Sequence, residues 1–391
     1  MKARDQSKKN QAGQTQGGET EMEERELKYL LALYSLPGMS QRQLKILVDY
    51  FQSFEYAWQQ SDRWLDISGF CFGHGVPPKK NCPESQADRV LDQFFQADAR
   101  IITLEDQDYP KNLKNIYDPP SFLFYRGKLP KEEEQCIAMV GSRKATAYGR
   151  LMAETIARDL AKESVWVVSG LARGIDTWSH KGCLKADGKT MAVLGCGIDV
   201  VYPRENRELY QEIAEKGVIL SEFPLGAPPL QHHFPMRNRI ISGVSKGVLV
   251  VEAAEKSGSL ITVDYALEQG RDVFALPGPV TSPLSRGTHK LILQGAKLVE
   301  KAQDILEEYL EGYGADYGQK EQQPEKTNLF TFSQQERELL ELLTGGSVHF
   351  DQLAEQSGLG APELAALLTQ WEIKGLIKQT PGKYYMINVI L

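Results

Sequence analysis

Several short segments in the middle of the chain combine glycine, serine and basic residues, a combination that suits phosphate groups. One spans 141–144, another spans 169–174, and Ser257, Gly258 and Ser259 form a third. Each adjoins a helical pattern, so hydroxyls and the free N–H groups of a helix start would meet at one place, with arginine or lysine nearby. The candidate residues in the first two segments are Gly141, Ser142, Arg143, Lys144, Gly170 and Arg173.

Segment 232–243 places two arginines and an asparagine beside an aromatic ring. Phosphate pairing together with ring stacking is how proteins bind single-stranded nucleic acid, which exposes both its backbone and its base faces. An equally good interpretation puts Phe234 in the core and pairs Arg237 with an acid such as Glu222 or Glu252. The candidates in this segment are Phe234, Arg237, Asn238 and Arg239.

The loop after residue 194 superficially resembles a dinucleotide-binding fingerprint but does not satisfy it. Gly195 and Gly197 are present, whereas Val200 stands where the pattern needs a third glycine, and the chain has no Walker A sequence. His232 and His233 are neighbours whose side chains point apart, so they make a poor metal chelate. The sequence therefore predicts neither a nucleotide cofactor nor a bound metal.

The apolar pattern indicates which elements position these segments. From about residue 101, short runs of valine, isoleucine and leucine alternate with helical patterns, as in a parallel sheet covered on both faces. Ligands bind such sheets beyond the carboxyl ends of the strands, where the segments fall. The predicted strands are Phe122–Tyr125, Ile137–Val140, Val165–Ser169, Met191–Leu194, Val218–Ser221, Gly247–Val251 and Val273–Leu276. Helices are predicted at about 148–162, 174–186, 205–215, 236–243, 260–269 and 287–294.

The whole chain divides into five parts on the same reasoning. Residues 1–20 are polar and predict a disordered tail. Residues 21–100 are helical, 101–311 form the predicted α/β domain with a parallel sheet, and 312–332 are a linker. Residues 333–391 carry three helices and two short strands, which predict a winged-helix domain.

A Pro-Gly turn interrupts the helical part at Pro37 and Gly38, after which Ser40 can cap a new helix. Helix, turn and capped helix resemble the SAM-like and helix-hairpin-helix modules that contact nucleic-acid phosphates through backbone N–H groups. A plain helical hairpin without that role is the simpler interpretation.

Composition and charge limit the class of protein. The 391 residues are 41% hydrophobic and 25% charged, which is ordinary for a globular chain of more than one domain. No apolar run approaches the roughly 20 residues that span a bilayer, and the N-terminus lacks a signal-peptide pattern. The five cysteines include no Cys-x-x-Cys pair, which favours reduced thiols and a cytoplasmic location.

The net charge of −7 is unevenly distributed along the chain. Residues 136–300 carry +3, whereas residues 301–391 carry −7, so a polyanion site is expected as a local groove in the middle. In the predicted recognition helix of the winged helix, Glu363 and Glu372 oppose a lone Lys374. We therefore expect that domain to contact protein rather than duplex DNA.

Taken in order, these motifs resemble the DNA-processing protein DprA (Smf) family across residues 101–300. The helical front and the winged-helix tail also match members of that family. The motifs are 141–143, 169–177, the loop with Gly195, Gly197, Asp199, Tyr202 and Pro203, then 221–224, 234–241, 257–262 and 277–278.

The resemblance implies a bacterial recombination mediator. Such a protein binds incoming single-stranded DNA during natural transformation, protects it, and helps to load RecA against competing single-strand-binding protein. It implies an extended Rossmann fold without a cofactor and a homodimer formed through that domain. Arg143, Arg173, Arg237 and Arg239 would then pair with phosphates, and Phe234 would stack or form a wall. The residues that would shape the groove are Gly141, Ser142, Gly170, Asn238, Ser257, Gly258 and Ser259.

Two other classes of function stay open at this point. Related sheets occur in nucleotide-processing enzymes that resemble lysine-decarboxylase-like phosphoribohydrolases, and Glu222 and Glu252 stand at plausible strand ends. The nearest stretch here, 277–279, lacks the glycine run of those enzymes. The third class is a scaffold whose basic rim binds an acidic protein. An enzyme would release free base from a nucleoside monophosphate, whereas a mediator would bind oligonucleotides without turnover.

Overall fold

The computed structural model describes residues 22–67, 70, 84–309, 334–344, 347–373, 376–380 and 382–387. The chain divides into two compact units, residues 1–313 and residues 314–391. The predicted tail 1–20 and linker 312–332 lie outside the described residues. None of the described helices is both long enough and apolar enough to cross a membrane.

The first unit opens with helices that share a hydrophobic core with the sheet that follows. The second helix begins after Ser40, which confirms the predicted cap. The Ser40 hydroxyl accepts from the Gln43 N–H at 3.3 Å, and Gln43 Oε1 accepts from the Ser40 N–H at 2.7 Å. Tyr34 packs edge-on against Phe122 of the sheet, with 5.1 Å between ring centroids. These helices are α1 (Glu24–Tyr34), α2 (Gln41–Phe51), α3 (Phe54–Gln59) and α4 (Glu84–Gln96).

Among the described residues, nine strands form the sheet of the first unit. They are β1 (Arg100–Thr103), β2 (Phe122–Gly127), β3 (Cys136–Val140), β4 (Trp166–Ser169), β5 (Thr190–Leu194), β6 (Val218–Ser221), β7 (Gly247–Val250), β8 (Asp272–Ala275) and β9 (Lys297–Leu298). Their order across the sheet is β1-β2-β6-β5-β4-β3-β7-β8-β9.

The seven neighbouring strands β6-β5-β4-β3-β7-β8-β9 all pair in parallel, which confirms the predicted Rossmann-like core. Two antiparallel strands extend it: β2 pairs with β6, and β1 pairs with β2. β1 and β9 were not among the predicted strands. The strand order reverses between β3 and β7, which are neighbours although β3 ends at Val140 and β7 begins at Gly247. Their carboxyl ends border the crevice where open sheets of this kind bind ligands.

Helices cover both faces of the sheet because its strands are apolar on both sides. In β5, for example, Met191 and Val193 belong to one core and Ala192 and Leu194 to the core on the other face. The predicted helices are confirmed to within three residues at each end. The helices of this region are α5 (Lys111–Lys114), α6 (Ala147–Lys162), α7 (Ile175–Lys185), α8 (Arg207–Lys216), α9 (His233–Val244), α10 (Ser259–Glu268), α11 (Arg286–Leu293) and α12 (Gln303–Leu306).

The second unit is the predicted winged helix. Its strands form an antiparallel sheet in the order β10-β12-β11, where β10 is Val348–His349, β11 is Ile377–Thr380 and β12 is Tyr384–Ile387. Trp371 is fully buried in its core. The helices are α13 (Gln334–Thr344), α14 (Phe350–Ser357) and α15 (Ala361–Ile373).

Candidate nucleic-acid interface

The loop after β3 presents two cations at the crevice between β3 and β7. Arg143 and Lys144 are exposed, and neither forms an ion pair with another described residue. The loop is fixed by its backbone, since the Ser142 N–H donates to the carbonyl oxygen of Glu252 at 2.8 Å. Gly141 is needed for this approach, because a Cβ there would lie 2.8 Å from the same oxygen.

The Glu252 carboxylate joins the end of β7 to the start of α6. Glu252 is buried, and its carboxylate accepts from the Thr146 N–H at 2.9 Å and from the Thr146 hydroxyl. Thr146 in turn caps α6 by accepting from the Gly149 N–H at 3.0 Å. The carboxylate is thus engaged in holding two loops together rather than free for acid–base chemistry.

The loop after β7 contributes the opposite side of the crevice. The Ser257 and Ser259 hydroxyls lie 2.7 Å apart, and α10 begins at Ser259. Gly258 is exposed, and a Cβ added to it would meet nothing within 4 Å. Lys256 is exposed and makes no ion pair within the described part of the chain. This side therefore supplies hydroxyls, a helix start and one more cation.

Gly170, after β4, is held on both sides of its backbone. Its N–H donates to Asp176 Oδ2 at 3.1 Å, an oxygen that also accepts from the Ala172 N–H at 3.3 Å. Its carbonyl accepts from Arg237 Nη1 at 2.8 Å, and the same nitrogen donates to the carbonyl of Val193. A Cβ at Gly170 would lie 2.5 Å from Arg237 Nη2, so any larger residue would force the buried guanidinium to move. We call this arrangement the Gly170 clamp.

Both charged groups of the Gly170 clamp are buried. Burial raises the pKa of the Asp176 carboxyl and lowers the pKa of the Arg237 guanidinium, and the attraction between them partly opposes both shifts. Arg237 therefore has its hydrogen bonds within the protein. The sequence-based alternative that paired Arg237 with Glu222 or Glu252 is wrong, because its hydrogen bonds go to backbone carbonyls and to Asn238.

A stacked cation and ring stand between the loop after β3 and α9. The Arg143 guanidinium lies over the Phe234 ring, 5.0 Å from its centroid. The centroid of the Tyr202 ring lies 5.7 Å from that of Phe234, and the two rings are tilted relative to each other. Phe234 is only partly buried, so it belongs to the wall of the crevice rather than to the core. A cation and an aromatic face are therefore presented together.

These elements enclose a cavity of about 510 Å³ between the ends of β3 and β7. We call it the switch-point groove. The charged side chains on its open surface are Arg143, Lys144 and Lys256, while the acid that lines it, Asp176, is buried in the Gly170 clamp. The predicted residues that line it are Gly141, Ser142, Arg143, Lys144, Phe234, Arg237, Asn238, Ser257, Gly258 and Ser259.

The remaining predicted residues lie elsewhere. Gly170 and Arg173 line a small adjoining cleft together with Arg143 and Phe234. Arg173 is exposed and forms an ion pair with Glu205. The structure does not bring Arg239 to the switch-point groove.

Arg239 points away from the switch-point groove toward the helical front. Its Nη2 donates to Glu222 at 2.6 Å, and its Nε lies 3.4 Å from Asp118. Burial raises the pKa of the Glu222 carboxyl, which the nearby Arg239 partly offsets. Glu222 is consequently engaged in a buried pair and lies outside the groove.

Sequence reasoning missed three residues that take part in the site. Lys256 adjoins the predicted Ser257, so its charge was a usable signal. Gln231 also lines the groove, and nothing in its type marked it. Asp176 belongs to the motif 169–177, but the sequence does not distinguish a buried carboxylate that binds backbone N–H groups from a carboxylate that faces solvent. Among the described residues, no group of three or more His, Cys, Asp or Glu side chains could hold a metal ion.

The sequence matches two protein-family models and several known proteins. Residues 100–310 match the family model of DNA recombination-mediator protein A, and residues 320–383 match that of the DprA winged helix domain. Protein Smf from Synechocystis is 34% identical over 397 residues, which cover 93% of this chain and 99% of that protein.

Two solved structures are also similar. The crystal structure of DprA from Streptococcus pneumoniae is 38% identical, with a TM-score of 0.60 over 74% of this chain and 99% of that one. A Helicobacter pylori DNA processing protein A, described for its single-stranded DNA binding mode, is 30% identical with a TM-score of 0.49. That match covers 54% of this chain and 94% of the other.

Proposed function

Because this chain belongs to the DNA recombination-mediator protein A family, whose members are the DprA and Smf proteins, we propose that its switch-point groove binds single-stranded DNA. The family is one of DNA-processing proteins and not of known catalytic enzymes.

The observation that carries the proposal is the Arg143 guanidinium stacked on Phe234 at the mouth of the groove. Arg143, Lys144 and Lys256 form no ion pair with an acidic side chain among the described residues, so they are available to pair with DNA phosphates. Phe234 and Tyr202 offer aromatic faces on which unpaired bases can stack. A duplex hides its base faces, and this combination therefore favours a single strand.

The biological role that follows is recombination mediation in the cytoplasm. The bound strand would be protected during natural transformation, and RecA would be loaded onto it while single-strand-binding protein is displaced. The family description as a recombination mediator supports this role. A RecA-filament assay on strands already covered by single-strand-binding protein tests it, because a mediator shortens the lag and a simple DNA-binding protein does not.

We further propose a homodimer formed through the Rossmann-like domain. Among the described strands, β9 forms one edge of the sheet, and exposed leucines lie on it and on α10 and α11. Leu293 is 88% exposed, Leu267 is 63% exposed and Leu298 is 43% exposed. Leucines this exposed on the elements at one end of a sheet are typical of a surface that another chain covers.

The enzyme and scaffold alternatives find less support. Glu252 is engaged by Thr146, and Glu222 is engaged by Arg239, so neither carboxylate is placed to act on a nucleotide in the groove. A scaffold for an acidic protein would use the cations but would have no use for the stacked ring.

Binding of a fluorescent oligonucleotide and of its duplex across a salt series tests the proposed function. We expect a preference for the single strand and a slope of log K against log salt that falls by about 0.7 for Arg143→Ala. Lys246→Ala is the matched control, because Lys246 is exposed at the opposite, amino end of β7. Equal binding of both DNA forms, or an Arg143→Ala variant that behaves like the control, would contradict the proposal.

A further inference from the structure

A second, larger cavity lies beside the switch-point groove, within the same compact unit. Its volume is about 940 Å³. It is bordered by the Pro-Gly turn and the start of α2, by the loop that precedes β2, by the loop after β6 and by α9. We call it the hairpin cleft.

Helix α9 separates the two cavities with its first turns. Phe234, Arg237 and Asn238 line the switch-point groove, whereas Met236 and Arg239 line the hairpin cleft. Successive helical residues are about 100° apart, so these two sets occupy opposite sides of one helix. Both cavities open beyond the carboxyl ends of strands, one at β3 and β7 and the other at β6. A strand leaving the groove across α9 would therefore enter the hairpin cleft.

The charge of the hairpin cleft suits a polyanion. Arg42 and Lys45 lie three residues apart on α2, hence on one side of the helix, and both are exposed. Neither forms an ion pair with any residue that the structure describes. The acids of the cleft, Glu222 and Asp118, are both within ion-pair distance of Arg239.

The cleft also offers surfaces on which bases can lie. His232 is exposed at its border, and the Met236 side chain is 46% exposed. The His233 ring stacks on Phe223 with 4.1 Å between ring centroids, so the lining of the cleft includes a pair of stacked flat rings. Arg239 Nη1 has no hydrogen-bond partner among the described residues, so one buried donor is unused at this wall.

We propose that the hairpin cleft is a second nucleic-acid subsite that holds the continuation of the strand bound in the switch-point groove. Arg42 and Lys45 contact its phosphates, and Met236 and His232 pack against its bases. The inference rests on the proposed function and deepens it, since it makes the DNA-binding site span both cavities. It also gives the predicted nucleic-acid role of the Pro-Gly hairpin a specific location.

The test compares oligothymidylates from about 6 to about 30 nucleotides long, a range that brackets the footprint of a single groove. The variant is Arg42→Ala/Lys45→Ala. Arg63→Ala/Arg89→Ala is the matched control, because it removes two exposed cations from the same helical front, outside both cavities. Arg42→Lys/Lys45→Arg keeps the charges and should bind as the parent does.

We expect the Arg42→Ala/Lys45→Ala variant to bind the shortest strand normally and the longest about 25-fold more weakly at about 0.1 M salt, the loss of two released counterions. The salt slope for the long strand should fall by about 1.4. Unchanged binding of long strands, an equal loss on short ones, or an equal loss in the control would overturn the inference. If instead the parent binds no single strand of any length, the proposed function itself fails, and this inference fails with it.

Discussion

The role of Arg237 distinguishes a residue that builds the site from one that contacts DNA. In the Arg237→Met variant, the Gly170 and Val193 carbonyls lose their donor and the buried Asp176 loses the positive charge that partly offsets its burial. Each unsatisfied buried polar group costs about 1–3 kcal/mol, and removal of one partner from a buried charge pair costs about 3–5 kcal/mol. The two estimates overlap in what they count, so we expect the free energy of unfolding to fall by about 3–5 kcal/mol.

Two measurements on the same variants test this expectation. Urea unfolding gives the loss of stability, and the salt dependence of oligonucleotide binding gives the number of phosphates contacted. Arg237→Met should be strongly destabilised, whereas its salt slope should match the parent's. Arg143→Ala should show the reverse, with a slope reduced by about 0.7 and a stability changed by less than about 0.5 kcal/mol.

A specific result would refute this reasoning. If Arg237→Met unfolds at the same urea concentration as the parent and loses as much salt slope as Arg143→Ala, then Arg237 pairs with phosphate. Arg237→Lys provides a check, since lysine keeps the charge but lacks the planar guanidinium that donates hydrogen bonds in the Gly170 clamp. It should recover only part of the stability.

Three further predictions follow from buried and exposed positions in the first unit. Burial lowers the pKa of His180 to about 3, so the folded protein keeps it neutral while the unfolded chain takes up a proton below about pH 6.5. Between pH 7 and pH 5 the parent should thus lose about 2 kcal/mol more stability than His180→Gln; equal losses in urea unfolding would contradict this. Gly174→Ala should lower stability and weaken DNA binding, because φ is +75° and the added Cβ would lie 2.2 Å from the Ser142 carbonyl oxygen. Gly360→Ala in the second unit is its control, because the added Cβ would meet only Pro362 Cδ, at an ordinary contact distance of 3.9 Å. Leu293→Asp should convert a dimer to a monomer in analytical ultracentrifugation, and a dimer that persists would place the interface elsewhere.

The parallel sheet was predictable because its strands are continuous apolar runs. β3 and β7 read as valine-, isoleucine- and leucine-rich segments between turn residues, and their carboxyl ends located the groove. β1 was missed because Arg100–Thr103 contains only two strongly apolar residues and is stabilised by pairing with β2 rather than by its own pattern. β9 has two residues and carries no periodicity.

Most of the predicted residues lie together in the switch-point groove, but the arginines of α9 could not be assigned from composition. Arg237 and Arg239 are two residues apart, so a helix turns them about 200° from each other and they cannot face the same groove. The predicted helix began at 236, whereas α9 begins at His233 and includes Phe234. Only tertiary packing decides that Arg237 points under the loop after β4 and Arg239 toward Glu222.

The hydrogen bonds between Glu252 and Thr146 close a stretch of 106 residues. The two sides of the switch-point groove are therefore synthesised far apart in time, because β4, β5 and β6 are all synthesised before β7 is available to pair with β3. Pairing between strands so distant in sequence is slow relative to local helix formation. A chain still emerging from the ribosome would thus hold its cations in place without the groove that orients them. DNA binding becomes available only when the last third of the sheet has folded.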